Sequence, residues 1–298
     1  MIRAQWVAVT ATMAVLITGC GNGSEAQTNG PLVSSAVTVP LPTSVVELVD
    51  PGAAPRDVLT FHPDADKTQQ ATLRTGYTVE QRMNSQAPQD VPNPEMTIPV
   101  TATASTNDIE LTLGQATCPE APLNKSLETA AGGRAGWKFG ANGSLTALWL
   151  RPVDAADDNA RAAIEQSFLL AVQYSMSLPG EAVGVGAMWR VRRDVLGTMP
   201  VQQITEVTLV ERAGDQLTLD IHVVQEPRSS VWNLPDGQGT LKIDKYSMTG
   251  GGRVILDLSQ PVPVEAHLTL TGEESYVDPN GTNSLRQTST TRVGWDRQ

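Results

Sequence analysis

The 298-residue chain predicts a mainly β (α+β) fold. The expected architecture is a curved antiparallel meander sheet, as a half-barrel, barrel or sandwich, with one amphipathic helix near 157–178. Three observations carry this. Leu217, Leu219, Ile221 and Val223 alternate with Thr218, Asp220 and His222, and Val262, Val264, Ala266, Leu268 and Leu270 alternate with Glu265, His267, Thr269 and Thr271. A period of two puts successive side chains on opposite faces, the mark of half-buried antiparallel strands. Asn142-Gly143 and Asn280-Gly281 lie between apolar runs and provide the φ > 0 positions that tight hairpins need. From Asp157 to Leu178 the period becomes helical: Ile164, Phe168, Ala171, Ser175 and Leu178 form one stripe. Asp154, Asp157 and Asp158 cap its start with the favourable charge, and Pro179-Gly180 ends it.

The N-terminus is organised differently. Met1-Ile2-Arg3 precedes an apolar run from Trp6 to Ile17. That run is shorter than the ~20 residues needed to span a bilayer as helix, and has the size of a signal-peptide apolar region. It ends Leu16-Ile17-Thr18-Gly19-Cys20, which resembles a bacterial lipobox. The resemblance implies cleavage between Gly19 and Cys20, and a thioether from the Cys20 thiolate to a diacylglyceryl group. Cys20 then becomes the acylated first residue (palmitate being a typical acyl chain), with the protein held on the extracytoplasmic face of the cell membrane. The plainer reading is a secretory signal that happens to contain a cysteine. Residues 1–19 are thus expected to be a lipoprotein signal peptide and 20–50 an acylated cysteine with a flexible tether rich in Gly, Ser, Thr, Asn and Pro. A strand around Val37–Val39 is the alternative within that tether. Residues 51–298 are expected to form a single β-rich extracytoplasmic domain.

Charge narrows the partners. The formal net charge is −11, and loss of Arg3 with the signal makes it −12. Nucleic acid, which demands a basic footprint, is excluded, and so is polybasic adhesion to anionic lipid. The expected partners are the membrane, through the acyl anchor, and a hydrophobic envelope ligand or envelope protein. The chain has two cysteines. With Cys20 committed to lipid, Cys118 has no disulfide partner, and no neighbouring histidine marks it as a nucleophile.

Roughly ten strands are expected against one helix of about 30 Å. Such a sheet either curls on itself, or leaves a groove whose apolar wall something else must fill. Further turns are expected at Pro235-Asp236-Gly237, and at Gly250-Gly251-Gly252 between two strands.

Chemical motifs are sparse. Gly184-Val185-Gly186-Ala187-Met188-Trp189 begins like a dinucleotide loop. Trp189 replaces the third glycine, and the segment follows a helix and precedes a strand, the reverse of the required order. Asp220 with His222, and Glu265 with His267, place acid–imidazole pairs on strand faces; a metal or acid–base cluster is conceivable, but two unrelated solvated faces are the expected reading. No cofactor, metal site or catalytic residue is expected, and the chain is read as a non-enzyme.

The lipobox, the tether, the many strands, the single helix ending in Leu178-Pro179, "EAVGVGAMWRV" and "GQGTLKID…GGGRVILDLSQPVP" together resemble a family of uncharacterised actinobacterial, mycobacterial-type lipoproteins. The likeness spans residues 55–295, and its landmarks carry no catalytic roles across. A looser architectural resemblance is to envelope lipoproteins that carry lipids in a curved half-barrel covered by helices. Those have several helices where this chain shows one. The first reading is a binder or carrier of a hydrophobic envelope molecule, with the apolar inner face of the sheet and the stripe of Ile164, Phe168 and Leu178 lining the site. The alternative is a closed structural or interaction module, and a hydrolase or metalloenzyme ranks last.

Overall fold

The structure is a computed structural model that describes residues 36–91, 95–197, 199–234, 239–279, 281 and 283–298. Gly19, Cys20 and the signal segment lie outside the described residues, as does the turn expected at Pro235-Asp236-Gly237.

The chain begins with β1 (Val37–Pro40), β2 (Val45–Asp50), β3 (Asp57–Val58), β4 (Thr68–Met83), β5 (Gln89–Val91), β6 (Met96–Ala104) and β7 (Asp108–Leu113). A short helix α1 (Ala121–Leu127) leads to β8 (Arg134–Phe139), β9 (Leu145–Arg151) and the main helix α2 (Asp158–Gln173). The second half holds β10 (Ala182–Val183), β11 (Met188–Asp194), β12 (Val201–Ala213) and β13 (Gln216–Pro227). It closes with β14 (Val231–Asn233), β15 (Thr240–Asp257), β16 (Glu265–Val277) and β17 (Ser284–Arg297).

The fold is mainly β. Its large sheet is antiparallel, has 15 strands and is not closed into a barrel. Two meanders make it: β4-β6-β7-β8-β9 and β11-β12-β13-β15-β16-β17, joined where β17 pairs with β4. Each meander has one free edge. β1 covers the first, pairing Val37 with Leu150 and Val39 with Leu148; β2 covers the second, pairing Val46 with Val191 and Leu48 with Trp189. Only Leu41-Pro42-Thr43-Ser44 separates β1 from β2. Five Cα steps reach no more than about 18 Å, so the sheet must roll until its two edges nearly meet, and this strap bridges them. Ending the sheet on two short strands also blunts its edges, since a short edge strand offers few unpaired backbone groups to template aggregation. The expectation of a flexible tether through residue 50 is therefore corrected: residues 37–50 are the seam of the roll.

Three further expectations change. Gly250–Gly252 does not separate strands; the glycines lie inside β15. A Cβ on Gly250, Gly251 or Gly252 would meet the carbonyl oxygen of Thr269, Ile221 or His267 at 2.1, 2.1 or 1.8 Å. The glycines let the neighbouring strands approach closely, a usual role of glycine inside a strand. Gly251→Ala is expected to destabilise the fold by about 1–3 kcal/mol, read as a lower urea midpoint. Second, α2 ends at Gln173, five residues before Leu178, and α1 is a helix that the periodicity did not reveal. Asp157 caps α2 as expected, its carboxylate accepting from the Asn159 N–H at 2.9 Å. Third, α2 does not lie over the sheet on one apolar stripe. Every residue from Ser167 to Gln173 is buried, so its C-terminal half is surrounded, as only an enclosed helix is.

Polar contacts from several strands hold that half-helix inside the roll. From β4, the Thr75 hydroxyl donates to Ser167 Oγ at 2.9 Å. From β11, buried Arg193 donates to Val172 O at 3.1 Å, Ser175 Oγ at 3.0 Å and Ser175 O at 2.6 Å. From β12, Gln203 donates to Gln173 O at 3.1 Å. Arg193 thus meets the carbonyls left open at the helix C-terminus, where the helix dipole favours a cation. Trp189 fills the adjacent core, its indole N–H donating to Ser177 O at 2.9 Å.

Candidate functional site

Along six neighbouring strands the inward side chains change from aliphatic to polar. On β4, Ala71 and Leu73 give way to Thr75 and Tyr77; on β17, Val293 gives way to Thr291, Ser289 and Gln287. On β16, Leu268 and Leu270 are followed by Glu274 and Tyr276, and on β15 Val254 is followed, toward the strand start, by Met248 and Tyr246. On β13, Val223 yields to Gln225; on β12, Val207 yields to Thr205 and Gln203. The aliphatic half joins the main core, while beyond the polar belt sits a second small cluster of Trp232, Leu234, Tyr276 and Leu285.

Between these apolar regions the roll leaves a cavity of about 120 Å³. All four tyrosines of the chain, Tyr77, Tyr174, Tyr246 and Tyr276, line it, with Gln173, Gln225, Trp232, Met248 and Glu274. Among the described residues, Glu274 is its one charged lining residue. The Tyr276 hydroxyl donates to Glu274 Oε2 at 2.7 Å, and Tyr246 lies directly across from Glu274 in the β15–β16 register. Tyr246 donates to Gln225 Oε1 at 3.3 Å; Gln225 Nε2 donates to Gln203 Oε1 at 3.0 Å and to the Tyr174 hydroxyl at 3.4 Å. Tyr276 and Trp232 pack with ring centroids 5.3 Å apart.

Two groups in this chamber lack a hydrogen-bond partner among the described residues. The Trp232 indole N–H is buried with no acceptor, and the Tyr77 hydroxyl makes no hydrogen bond among the described residues. A buried donor without an acceptor costs about 1–3 kcal/mol, a cost that an entering acceptor removes. Burial pushes all four phenols above their ordinary value, and the Glu274 charge adds to the shift at Tyr77, Tyr246 and Tyr276. They stay neutral at physiological pH.

Burial also raises the Glu274 carboxyl above its ordinary 4.5. The folded state therefore holds this proton more tightly than the unfolded chain. Stability contributed by the protonated carboxyl is complete below pH 4.5 and is lost as pH rises through the folded value. The groups facing Glu274 are Tyr276 on its own strand, Tyr246 on β15 and Tyr77 on β4. Glu274→Gln keeps the acceptor for Tyr276 and removes the charge. Its melting temperature is expected to exceed that of the parent at pH 7, by about 2–4 °C per kcal/mol gained, with the difference vanishing below pH 4.

The residues predicted to line a site from sequence are not brought together. Leu178 lines an apolar pocket of about 90 Å³ with Trp137, Val254 and Trp295, on the other side of Tyr174 from the chamber. Phe168 is fully buried in the core. Ile164 faces a groove of about 450 Å³ between the β1–β9 edge and α2, where Arg134 pairs with Glu110 and Arg161 with Asp158. The acid–imidazole pairs are separate too. His267 lies 3.3 Å from Glu265 and 3.7 Å from Asp296, whereas Asp220 binds Arg253 and His222 stands opposite Gly251. Among the described residues no group of three His, Cys, Asp or Glu could hold a metal ion. The Cys118 thiol donates to Glu120 O at 3.4 Å. No helix among the described residues is long and apolar enough to cross a membrane. Sequence reasoning missed the chamber entirely. The usable signal was that Tyr77, Tyr246 and Tyr276 all fall on the inward phase of their strands.

No protein-family model matches the chain, and no curated protein matches it. A solved structure described as "Crystal structure of the receptor binding domain" aligns at 8% identity over 88% of this chain and 92% of its own, with a TM-score of 0.10. A score that low carries no argument.

Proposed function

We propose that this protein is a lipid-anchored, extracytoplasmic cell-envelope protein that works by binding, holding the polar end of an amphipathic envelope molecule in the tyrosine chamber. The convergence of all four tyrosines with the unpartnered Trp232 N–H on one cavity supports the binding site. The Leu16–Cys20 resemblance to a lipobox supports the anchor, and the likeness to actinobacterial lipoproteins points the same way. Neutral phenols suit hydrogen bonding and packing better than proton transfer, in keeping with a non-enzyme.

Size limits the ligand. An engineered cavity of about 150 Å³ takes one benzene, and drug-sized sites run to about 300–1,000 Å³. At about 120 Å³ the chamber accepts a head group and no acyl chain. The apolar pocket across Tyr174, about 90 Å³, offers room for a short apolar neighbour of that head. A closed module without ligand remains the second reading, favoured by the complete burial of Leu73, Leu209, Leu217 and Leu219 in the aliphatic half.

Stripping the purified protein on a hydrophobic resin tests the reading. The melting temperature should fall by several degrees, because a ligand bound only to the folded state stabilises it, and the recovered extract should restore it. An unchanged transition, with nothing recovered, would leave the closed module.

A further inference from the structure

Resting on that binding reading, we propose that the chamber selects an organic ammonium group, with Glu274 as its counter-ion and the rings of Tyr77, Tyr246, Tyr276 and Trp232 as its wall. The charge pattern points there first. Among the described residues, Glu274 is the one charged group lining the cavity, and no Lys, Arg or His lines it. A lone carboxylate repels phosphate and carboxylate ligands, and its desolvation needs a cation in compensation. Among the described residues no cation supplies this; the carboxylate accepts from the Tyr276 phenol.

The wall is the second observation. Aromatic faces attract cations, and cages of them recognise quaternary ammonium groups. Five aromatic residues line a cavity of about 120 Å³, in a chain where aromatics make up 4% of residues. The Trp232 N–H, without an acceptor among the described residues, is the third. It calls for an oxygen close to the cation, as an amino alcohol provides. A neutral sugar would satisfy the tyrosines and glutamines but would leave the carboxylate uncompensated. Such a head group could arrive free or on a lipid, and the chemistry at the chamber is the same.

Isothermal titration of the full-length protein in non-ionic detergent separates the cases. The probes are choline chloride and ethanolamine, with sodium phosphate and glucose as controls, against the parent, Glu274→Gln, Tyr77→Phe and Tyr77→Leu. Choline or ethanolamine should bind the parent, tenfold or more weaker to Glu274→Gln and Tyr77→Leu, and within about twofold to Tyr77→Phe, because the Tyr77 ring acts and its hydroxyl does not. Phosphate should not bind. Competition by phosphatidylcholine or phosphatidylethanolamine vesicles, absent with phosphatidylglycerol, would assign the head group to a lipid; no competition would assign it to a free amine. The proposal is overturned if glucose binds the parent and Glu274→Gln equally while the amines do not, or if amine affinity ignores Glu274→Gln. In both cases the binding reading survives. If no probe binds and the purified protein yields an extractable molecule without an ammonium group, the ammonium assignment alone fails. If no probe binds and nothing is extractable, both fail.

Discussion

A chain beginning at Pro51 is expected to aggregate or to melt well below one beginning at Ala36. Both lack the signal segment and Cys20, so the difference isolates β1, the strap and β2. Removing them frees the β9 and β11 edges at once, and exposed edges pair with other chains. Leu41, Val46 and Leu48 also pack against the main core. At about 1.5–3 kcal/mol for a fully buried aliphatic side chain, their partial burial contributes several kcal/mol out of a typical total of about 5–15 kcal/mol. Size-exclusion chromatography with thermal denaturation reads the result. A monomeric chain from Pro51 with an unchanged transition would show that the seam is ornamental and that residues up to 50 act as a tether after all.

The second large effect is at Arg193. Arg193→Ala should cost about 3–5 kcal/mol, because hydrogen bonds from a charged donor contribute about 1.5–3 kcal/mol each. It strips the donors from Val172 O, Ser175 Oγ and Ser175 O inside the roll, and each buried acceptor left open costs about 1–3 kcal/mol. Because α2 ends beside the chamber, Tyr174 should move as well, and ligand affinity should fall with stability. Burial lowers the Arg193 guanidinium to about 10 from 12.5. In that window the unfolded chain binds more protons than the folded one, so stability rises with pH there and carries no slope from Arg193 between pH 5 and 8. Glu274 contributes to the slope on the acid side, and Arg193→Ala should leave that contribution intact. Urea titrations at pH 4, 5.5 and 7 separate the two residues. An Arg193→Ala midpoint equal to the parent's would show that the helix is held by packing alone.

Much of the sheet was legible because alternation is local. Leu217–Val223 and Ala266–Leu270 announce their buried faces residue by residue, and Asn142-Gly143 announces its hairpin. What stayed hidden depends on partners far along the chain. Val37–Pro40 and Val45–Asp50 look like linker because the prolines and serines around them signal turns, while their strand character comes from β9 and β11, over 90 residues on. Gly250–Gly252 read as a break because glycine weakens a strand locally; only the close carbonyls of β13 and β16 explain its presence. The α2 stripe was found, but the unbroken apolar run Phe168–Val172 was the sign of an enclosed helix and outweighed the stripe. The chamber was least legible. Register and curl bring Tyr77, Tyr174, Tyr246 and Tyr276 together from four separate elements or their ends, and a slip of one residue in any strand would turn its tyrosine outward.

Native mass spectrometry of the full-length protein from its producing host, alongside Glu274→Gln from the same host, bears most directly on the claim that the rolled sheet encloses a ligand site. A stoichiometric adduct on the parent, absent or strongly depleted in the variant, is the predicted result. A bare mass for both, under conditions that preserve a known non-covalent complex, would contradict the account and leave a packed, anchored module with an empty polar belt.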